Sequence, residues 1–409
     1  MKKNLLTVLI ISSGIVLTAC NNGGGGSSSG ASPDNTDVIN TIANPVVGTP
    51  SAYTATDFST VATDSVVMTY KMKGINGTEV QATSLVFTPK TVAPAGGWPI
   101  VVWAHGTTGV ADQCAPSRNV MNDYIKGMIS KFLAAGYVVV APDYEGLGEP
   151  GGKELHPFLN LKSEAYSITD AVVATRSWLG SRASNKWVTV GHSQGGQAAL
   201  GAAQYAARAN LDYKGTVAVA PASQLKLILS AGNLSVENAT PTQQIPVYAS
   251  LDTFTALIAA GLRNTNPTLD YSQVFKVPTD AIAKNAESAC YDVLGLQFAG
   301  AMKQYAGING TLKNYPRTTD TFTTLPVVQK FLDVDSQPLQ VQVKTPVVIY
   351  QGGADTTVPK IATDTLYGTA KAFGTQVSYM TNPTWDHSTA YALNIDNIVA
   401  DVKAMFAAK

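Results

Sequence analysis

Short apolar runs alternate with longer segments of helical periodicity through most of this 409-residue chain. A short continuous apolar run between turn residues is typical of a strand that is buried on both faces. Strands that alternate with helices form a mostly parallel sheet covered by helices on both sides. The predicted strands are residues 100–104, 137–141, 187–190, 216–220 and 347–350, and the predicted helices are residues 119–135, 163–181, 194–208, 360–373 and 388–406.

Two features lie outside this alternation. Residues 66–72 and 80–87 alternate between apolar and polar side chains across a Gly-containing turn, which predicts an antiparallel hairpin. Between residues 222 and 340, Ala/Leu-rich helical segments replace the strand and helix pairs. We interpret this stretch as a helical cap over the carboxyl ends of the strands, inserted into a core made of residues 51–221 and 341–409.

The composition excludes several classes of protein. Apolar residues make up 45% of the chain and charged residues only 14%, which is inconsistent with a charge-rich disordered chain. Lys plus Arg and Asp plus Glu both number 28, and no basic stripe is present, so we expect no nucleic-acid partner. Four scattered histidines and three cysteines are too few for a clustered zinc site. We expect neither a metal nor another cofactor.

The N-terminus has the pattern of an export signal over residues 1–19: two lysines, a short apolar stretch and then Leu-Thr-Ala-Cys, which ends at Cys20. These four residues resemble a bacterial lipobox, in which the cysteine is lipidated after cleavage. The alternative is an ordinary signal peptide with an incidental cysteine. Residues 20–50 include a tract of Gly and Ser only, at 23–30, and are predicted to form a flexible tether.

Cleavage before Cys20 would remove Lys2 and Lys3 and leave a formal charge of −2. Without a basic patch, membrane association would depend on the lipid at Cys20. Asn21 in the second mature position, rather than Asp, resembles lipoproteins that are sent to an outer membrane. We therefore expect an exported, lipid-anchored protein, on the outer membrane if the cell has one.

The most informative motif is Gly-His-Ser-Gln-Gly at residues 191–195, because a predicted buried strand precedes it and an Ala-rich helix follows it. This context is that of a nucleophile elbow, a tight turn that exposes the serine hydroxyl. The glycines at both ends of the motif would allow the close backbone approach that such a turn requires. Ser193 is therefore the candidate nucleophile. The alternative is a chance match in a loop.

A neutral hydroxyl needs a base, and the histidines are His105, His156, His192 and His387. We expect the side chain of His192, next to the serine, to diverge from its hydroxyl. His105 precedes a glycine loop and His156 lies in a Gly/Pro-rich loop. His387 follows a short predicted strand and precedes the last helix. In proteins with a nucleophile elbow, the base comes from this position. The alternative is a surface histidine at a helix start.

The candidate acid is Asp355, which follows the predicted strand at 347–350 and two glycines. It would accept the Nδ1–H of His387 and fix the tautomer of the imidazole ring. Asp386 is the second candidate, although its position adjacent to His387 makes a hydrogen bond to the ring awkward. Asp355 as a turn-forming residue is the structural alternative.

When a serine nucleophile attacks a carbonyl group in acyl transfer, an oxyanion forms, and two N–H donors are needed to stabilise it. One would be the backbone N–H of Gln194, at the start of the helix after the nucleophile. The other would come from the loop at residues 105–109, with Thr107 as the candidate. An ordinary Gly-containing turn is the alternative for this loop.

The order Ser193, Asp355, His387 within alternating strands and helices resembles the α/β-hydrolase superfamily. His-Gly-Thr-Thr-Gly at 105–109, Cys-Ala-Pro-Ser at 114–117 and Asp-Tyr-Glu-Gly at 143–146 more specifically resemble the secretory lipase family, which includes fungal lipase A. The resemblance implies a serine carboxylesterase or lipase that acts on ester or lipid substrates under a helical cap. It also implies a disulfide between Cys114 and Cys290, with two buried free thiols as the alternative.

Three hypotheses about function follow. The first is hydrolysis of carboxylic esters through an acyl-enzyme on Ser193. The second is a peptidase or an acyltransferase that uses the same triad, because the choice depends on which nucleophile reaches the acyl-enzyme. The third is a non-catalytic surface protein on a hydrolase scaffold. Apolar residues of the cap, such as those at 251–262, would line an acyl pocket or form the cap's own core.

Overall fold

The protein is described by a computed structural model over residues 39–148, 151 and 154–408, all in one compact unit. Nine strands of this part of the chain form a single sheet. They are β1 (Val46–Ala52), β2 (Ala62–Lys73), β3 (Glu79–Pro89), β4 (Trp98–Ala104), β5 (Val138–Pro142), β6 (Ala183–His192), β7 (Asp212–Val219), β8 (Val347–Gly352) and β9 (Val377–Asn382). Their order across the sheet is β1-β2-β3-β5-β4-β6-β7-β8-β9.

The sheet is mixed but mostly parallel. Strands β4 to β9 are parallel to their neighbours within this group, whereas β1, β2 and β3 form antiparallel pairs that join the sheet at β5. The predicted hairpin is formed by β2 and β3, with Lys73 opposite Glu79. The carboxyl ends of the parallel strands therefore meet at one edge, the usual position of ligand sites in such sheets.

Among the described residues, six α-helices belong to the core. They are α1 (Asp123–Ala134), α2 (Leu161–Leu179), α3 (Gln194–Gln204), α10 (Lys360–Ala372), α11 (Thr389–Ala392) and α12 (Ile395–Ala407). Asparagines set the starts of two of them: the side chain of Asn122 accepts the N–H of Ile125, and that of Asn160 accepts the N–H of Ser163. Such caps satisfy N–H groups that have no partner within the helix.

Different helices cover the two faces of the sheet, because successive side chains of a strand point to opposite faces. In β4, Ile100 and Val102 belong to a core that includes α2, α3 and α10. Val101 and Trp103 belong to a second core, which includes α1 and α12. This arrangement confirms the expected α/β fold with a central sheet flanked by helices.

The segment between β7 and β8 is helical. It contains α4 (Leu225–Ser235), α5 (Pro241–Leu262), α6 (Tyr271–Val274), α7 (Thr279–Lys284), α8 (Tyr291–Asn309) and α9 (Pro326–Lys330). These helices share a hydrophobic core of their own. In the described part of the chain, α5 alone is long and apolar enough to cross a membrane, but 67% of its most apolar window is buried within the protein, as in a core helix.

The structure corrects the extent of the predicted tether, since β1 begins at Val46 and pairs antiparallel with β2. Gly48 and Pro50 lower the strand propensity of this stretch, and the pairing register shifts between Val47 and Ser51. Proline is compatible with an edge strand, where the missing N–H is not needed for a ladder. The part of the tether before residue 39 lies outside the described residues.

The predicted last helix at 388–406 is also corrected, because it is divided into α11 and α12. The side chain of Asn394 donates a hydrogen bond to the carbonyl oxygen of Ala390 at the break. Side chains of this type compete with main-chain hydrogen bonds and favour an interruption. The predicted helix at 194–208 likewise ends earlier, at Gln204, and a 3₁₀ turn over Ala206–Ala209 follows it.

Candidate active site

The turn between β6 and α3 has the conformation of a nucleophile elbow. Ser193 has φ 61° and ψ −122°, a region that L-residues with a side chain rarely adopt. A Cβ atom on Gly191 would overlap the carbonyl oxygen of Gly195, and one on Gly195 would overlap the carbonyl oxygen of Ala104. Both glycines are therefore needed for the close backbone approach that holds Ser193 in this strained turn.

The candidate oxyanion donors lie on two sides of Ser193. Gln194 is the first residue of α3, so its N–H belongs to the helix end that has no intrahelical acceptors. The loop after β4 approaches from the other side: a Cβ on Gly106 would lie 3.3 Å from the carbonyl oxygen of His192 and 3.7 Å from Cβ of Ser193. Thr107 of this loop lines the cavities beside Ser193.

Asp355 and His387 lie side by side beyond the ends of β8 and β9. Nδ1 of His387 is 2.8 Å from Oδ2 of Asp355. The other carboxylate oxygen, Oδ1, accepts the N–H groups of Thr357 and Val358 at 2.9 and 2.8 Å. Asp355 is only 5% exposed. These bonds fix the orientation of the carboxylate, which can in turn hold the His387 ring in the Nδ1–H tautomer.

Asp386, the second candidate acid, has a different role. Its Oδ1 accepts the N–H groups of Ser388 and Thr389 at 3.0 and 2.7 Å, and the carboxylate is exposed. These backbone bonds lower the pKa of Asp386, with that to Thr389 the largest cause. The carboxylate therefore stabilises the turn before α11.

Two other histidines are held by main-chain oxygens. Nδ1 of His105 lies 2.7 Å from the carbonyl oxygen of Gly106, and its Nε2 lies 3.1 Å from that of Asp143. Burial lowers the pKa of His105 to about 4, so its ring is neutral near pH 7 and donates its single N–H to one of these two oxygens. His156 donates from Nδ1 to the carbonyl oxygen of Glu145 at 2.9 Å. His387 differs from both, since Nδ1 of its ring lies at hydrogen-bond distance from a carboxylate, whereas Nε2 of His156 lies 3.6 Å from Oε1 of Glu164.

Ser193 and His387 open into one cleft of about 750 Å³. Thr107, His192 and Tyr391 also line this cleft. A second, narrow pocket of about 40 Å³ begins at Ser193 and extends into the cap. Its walls are almost entirely apolar, with the side chains of Phe158, Leu225, Ile228, Leu229, Leu251, Phe254 and Ile258.

A buried polar cluster behind the elbow was missed by the reasoning from sequence. The side-chain Nε2 of Gln194 lies 2.7 Å from Oε1 of Glu164 and 2.7 Å from Nε2 of His156. Because the amide nitrogen of Gln194 can only donate, Nε2 of His156 is the acceptor in this contact. The amide of Gln194 is thus anchored by both hydrogens, in a cluster that is 0–1% exposed. Gln194 is 30 positions from Glu164 and 38 positions from His156 in the chain, so no local sequence pattern indicates these contacts.

The disulfide between Cys114 and Cys290 is present, as the resemblance implied. Cys290 is the N-cap of α8, and the N–H of the next residue, Tyr291, donates to the carbonyl oxygen of Thr108 at 2.9 Å. Two bonds therefore connect the start of α8 to the segment around the candidate oxyanion loop. Cys20, the predicted lipidation site, lies outside the described residues.

Among residues 39–148, 151 and 154–408, no group of three or more His, Cys, Asp or Glu side chains is placed to hold a metal ion. The chemistry available at the elbow is that of the hydroxyl, the imidazole, the carboxylate and the N–H groups.

Solved structures with a similar fold include a lipase and an esterase. Candida antarctica lipase A matches with a TM-score of 0.67 and 17% sequence identity, over 89% of this chain and 82% of its own. LipA, the rice cell wall degrading esterase from Xanthomonas oryzae, matches with a TM-score of 0.62 and 19% identity, over 88% of this chain and 97% of its own. At these identities the matches establish a shared fold. No curated protein matches the sequence at a significant level.

The family model of the secretory lipases matches residues 115–409, which include β5 to β9, the elbow, the cap and the loops that carry Asp355 and His387. This match covers well over half of the chain. The protein therefore belongs to the secretory lipase family and is a serine ester hydrolase with the α/β-hydrolase fold.

Proposed function

We propose that the protein cleaves carboxylic esters through an acyl-enzyme on Ser193, with His387 as the base and acid and Asp355 as the orienting carboxylate. The observation that carries the proposal is the 2.8 Å contact between His387 and Asp355 beside the cleft into which the strained elbow presents Ser193. A nucleophile, a base and a group that orients the base are the elements of this chemistry.

In the first half of the reaction, Oγ of Ser193 attacks the ester carbonyl carbon while Nε2 of His387 accepts the hydroxyl proton. The imidazolium is stabilised by Asp355, which stays ionised. The negative charge on the former carbonyl oxygen is met by the N–H groups of Gln194 and Thr107. Removal of one such donor typically costs about 2.7–4 kcal/mol of transition-state stabilisation. His387 then donates its proton to the leaving alcohol.

In the second half, a water molecule takes the place of the alcohol. His387 removes a proton from the water as it attacks the acyl carbon, and the same two N–H groups stabilise the second oxyanion. Collapse of this intermediate releases the carboxylic acid, and Ser193 recovers its proton from His387.

The two cavities beside Ser193 suggest where the two parts of the ester bind. The narrow pocket that extends into the cap is lined by apolar side chains such as Leu225, Leu229 and Ile258, and would take the acyl chain. The larger cleft contains polar groups as well and leads to solvent, so it would take the alcohol. Along α5, Leu251, Phe254 and Ile258 line the pocket at helical spacing, whereas Leu257 packs in the core of the cap and does not line it.

The decisive experiment combines p-nitrophenyl esters of increasing acyl length with a fluorophosphonate probe, which labels activated serines independently of substrate preference. We expect hydrolysis of at least one ester, a single label on Ser193, and loss of both in Ser193→Ala. Labelling without hydrolysis of any ester would favour the peptidase or the acyltransferase. Absence of both label and hydrolysis would favour the non-catalytic binding protein.

We further propose that the protein is exported and anchored to a membrane by a lipid on Cys20. The support is the signal-like pattern of residues 1–19 and the lipobox-like Leu-Thr-Ala-Cys that ends at Cys20. Metabolic labelling with a fatty acid tests the anchor. The wild type should carry the label and Cys20→Ala should not, while an unlabelled wild type would contradict lipidation.

A further inference from the structure

His192 contacts His387 across 195 positions of sequence. Its Nε2 lies 2.8 Å from the backbone carbonyl oxygen of His387. A carbonyl oxygen only accepts, so Nε2 of His192 is the donor and carries the proton. This bond joins the end of β6, immediately before Ser193, to the loop that presents the His387 ring.

The ring of His192 is also fixed by packing. Its centroid is 4.6 Å from that of the His387 ring and 5.5 Å from that of Tyr391, with which it is stacked at an interplanar angle of 25°. Tyr391 in turn packs on Trp103 of β4, at 5.6 Å between centroids. His192 therefore has little freedom to leave the carbonyl oxygen of His387.

The charge of His192 is compatible with a neighbour that gains a proton in every catalytic cycle. Burial, followed by the nearby His387, lowers the pKa of His192 to about 3, so the ring stays neutral at neutral pH. A neutral donor holds the carbonyl oxygen without placing a second positive charge next to the imidazolium of His387.

We propose that His192 is a positioning residue that holds His387 by its main chain, while Asp355 holds it by its ring. The proposal rests on the proposed function, in which His387 must reach the hydroxyl of Ser193. With both anchors, the backbone and the ring of His387 are fixed relative to the elbow. A displacement of about 1 Å of a catalytic group can lower the rate about 100-fold, so the second anchor has a measurable effect.

Two variants separate the hydrogen bond from packing. His192→Gln keeps an N–H donor near the position of Nε2, and His192→Leu fills a similar volume without a donor. Both are compared with the wild type and Ser193→Ala in steady-state ester hydrolysis, in the rate of Ser193 labelling by the fluorophosphonate, and in thermal unfolding.

We expect His192→Leu to lower kcat and the labelling rate roughly 10- to 100-fold, with KM within about twofold of the wild type. On a logarithmic scale, kcat of His192→Gln should lie at least halfway from that of His192→Leu to that of the wild type. Since His192 is neutral at neutral pH, His192→Gln removes no charge from the site, and the acid limb of the pH profile of kcat/KM should keep its midpoint.

Two results would overturn the proposal: kcat of His192→Leu within threefold of the wild type, or no recovery in His192→Gln when both variants unfold at the wild-type temperature. These results leave the proposed function intact if Ser193→Ala is inactive. Wild-type hydrolysis that persists in Ser193→Ala would instead refute the proposed function, and with it the role of His192.

Discussion

Oδ2 of Asp355 lies 2.8 Å from Nδ1 of His387, whereas the carboxylate of Asp386, the immediate neighbour of His387 in sequence, accepts N–H groups at the start of α11. Adjacent residues on a chain direct their side chains apart, so the carboxylate that contacts the His387 ring belongs to a different loop. This relationship leads to a prediction that distinguishes the two acids.

Asp355→Asn should lower kcat roughly 10³- to 10⁴-fold at neutral pH, because the amide would favour the tautomer in which Nε2 of His387 carries the proton and cannot accept another. Asp386→Asn is the matched control. Its amide oxygen can still accept the N–H groups of Ser388 and Thr389, and activity should stay within about threefold of the wild type. Steady-state kinetics on one p-nitrophenyl ester measure both. Equal losses in the two variants would contradict the assignment.

Leu229→Ala should shift the preference toward longer acyl chains. Leu229 and Ile258 line both the pocket at Ser193 and a second small apolar cavity deeper in the cap. Truncation of Leu229 would connect the two cavities. The ratio of kcat/KM for a dodecanoate ester to that for a butyrate ester should rise roughly tenfold, the effect of one or two added methylene contacts.

Leu227→Ala is the control for this variant, because Leu227 is also half-buried on α4 but does not line either cavity. Its ratio of long-chain to short-chain hydrolysis should equal that of the wild type. If Leu229→Ala left the ratio unchanged, the narrow pocket would not be the acyl site.

Cys114→Ala combined with Cys290→Ala should lower the free energy of unfolding by up to roughly 5 kcal/mol, since the disulfide closes a loop between residues 176 positions apart. Urea unfolding of the wild type and the double variant measures the loss. Reductant should destabilise the wild type and leave the double variant unchanged. Mass spectrometry of a non-reduced digest with both thiols alkylated would disprove the bond.

Glu145→Gln should change how stability depends on pH. Glu145 is buried, accepts the N–H of Ile75 at 2.7 Å and the hydroxyl of Ser163, and burial raises its pKa from 4.5 to about 7. The folded state therefore holds the carboxyl proton of Glu145 more tightly than the unfolded state does. The contribution of this proton to the free energy of unfolding is fully present below about pH 4.5 and is lost as the pH rises through about 7.

The amide in Glu145→Gln is neutral at every pH, so the variant should gain stability relative to the wild type on the order of 3 kcal/mol between pH 4.5 and pH 9. Denaturant unfolding of both proteins at a series of pH values tests this. The difference between the two curves removes the contributions of other buried groups, such as Asp143. Parallel curves would show that Glu145 does not retain its proton on folding.

Much of the core was predictable because its signals are local. The apolar runs from β4 to β8 each span a few residues, and their burial on both faces follows from composition alone. The elbow is equally local: Gly191 and Gly195 are needed within five residues for one turn. Asp355 and His387 were predicted from their positions after strands, and the order of strands along the chain can be read from the sequence.

The errors came from interactions that are not local. β1 contains Gly48 and Pro50 and becomes a strand only because β2 offers an edge to pair with. The break before α12 is the exception, since the side chain of Asn394 donates to the carbonyl oxygen of Ala390, only four residues earlier. The anchoring of Gln194 by Glu164 and His156 joins three separate segments.

The sequence by itself determined the succession of strands and helices, the glycines of the elbow and the candidates for the reactive side chains, because backbone sterics and hydrophobic periodicity act over a few residues. Only the tertiary structure decided the 2.8 Å contact between Asp355 and His387, the hydrogen bond from His192 to the carbonyl oxygen of His387, and the narrow apolar pocket that begins at Ser193. Hydrogen bonds and cavities depend on distances of a few ångströms between segments far apart in the chain, and packing of the whole domain sets those distances.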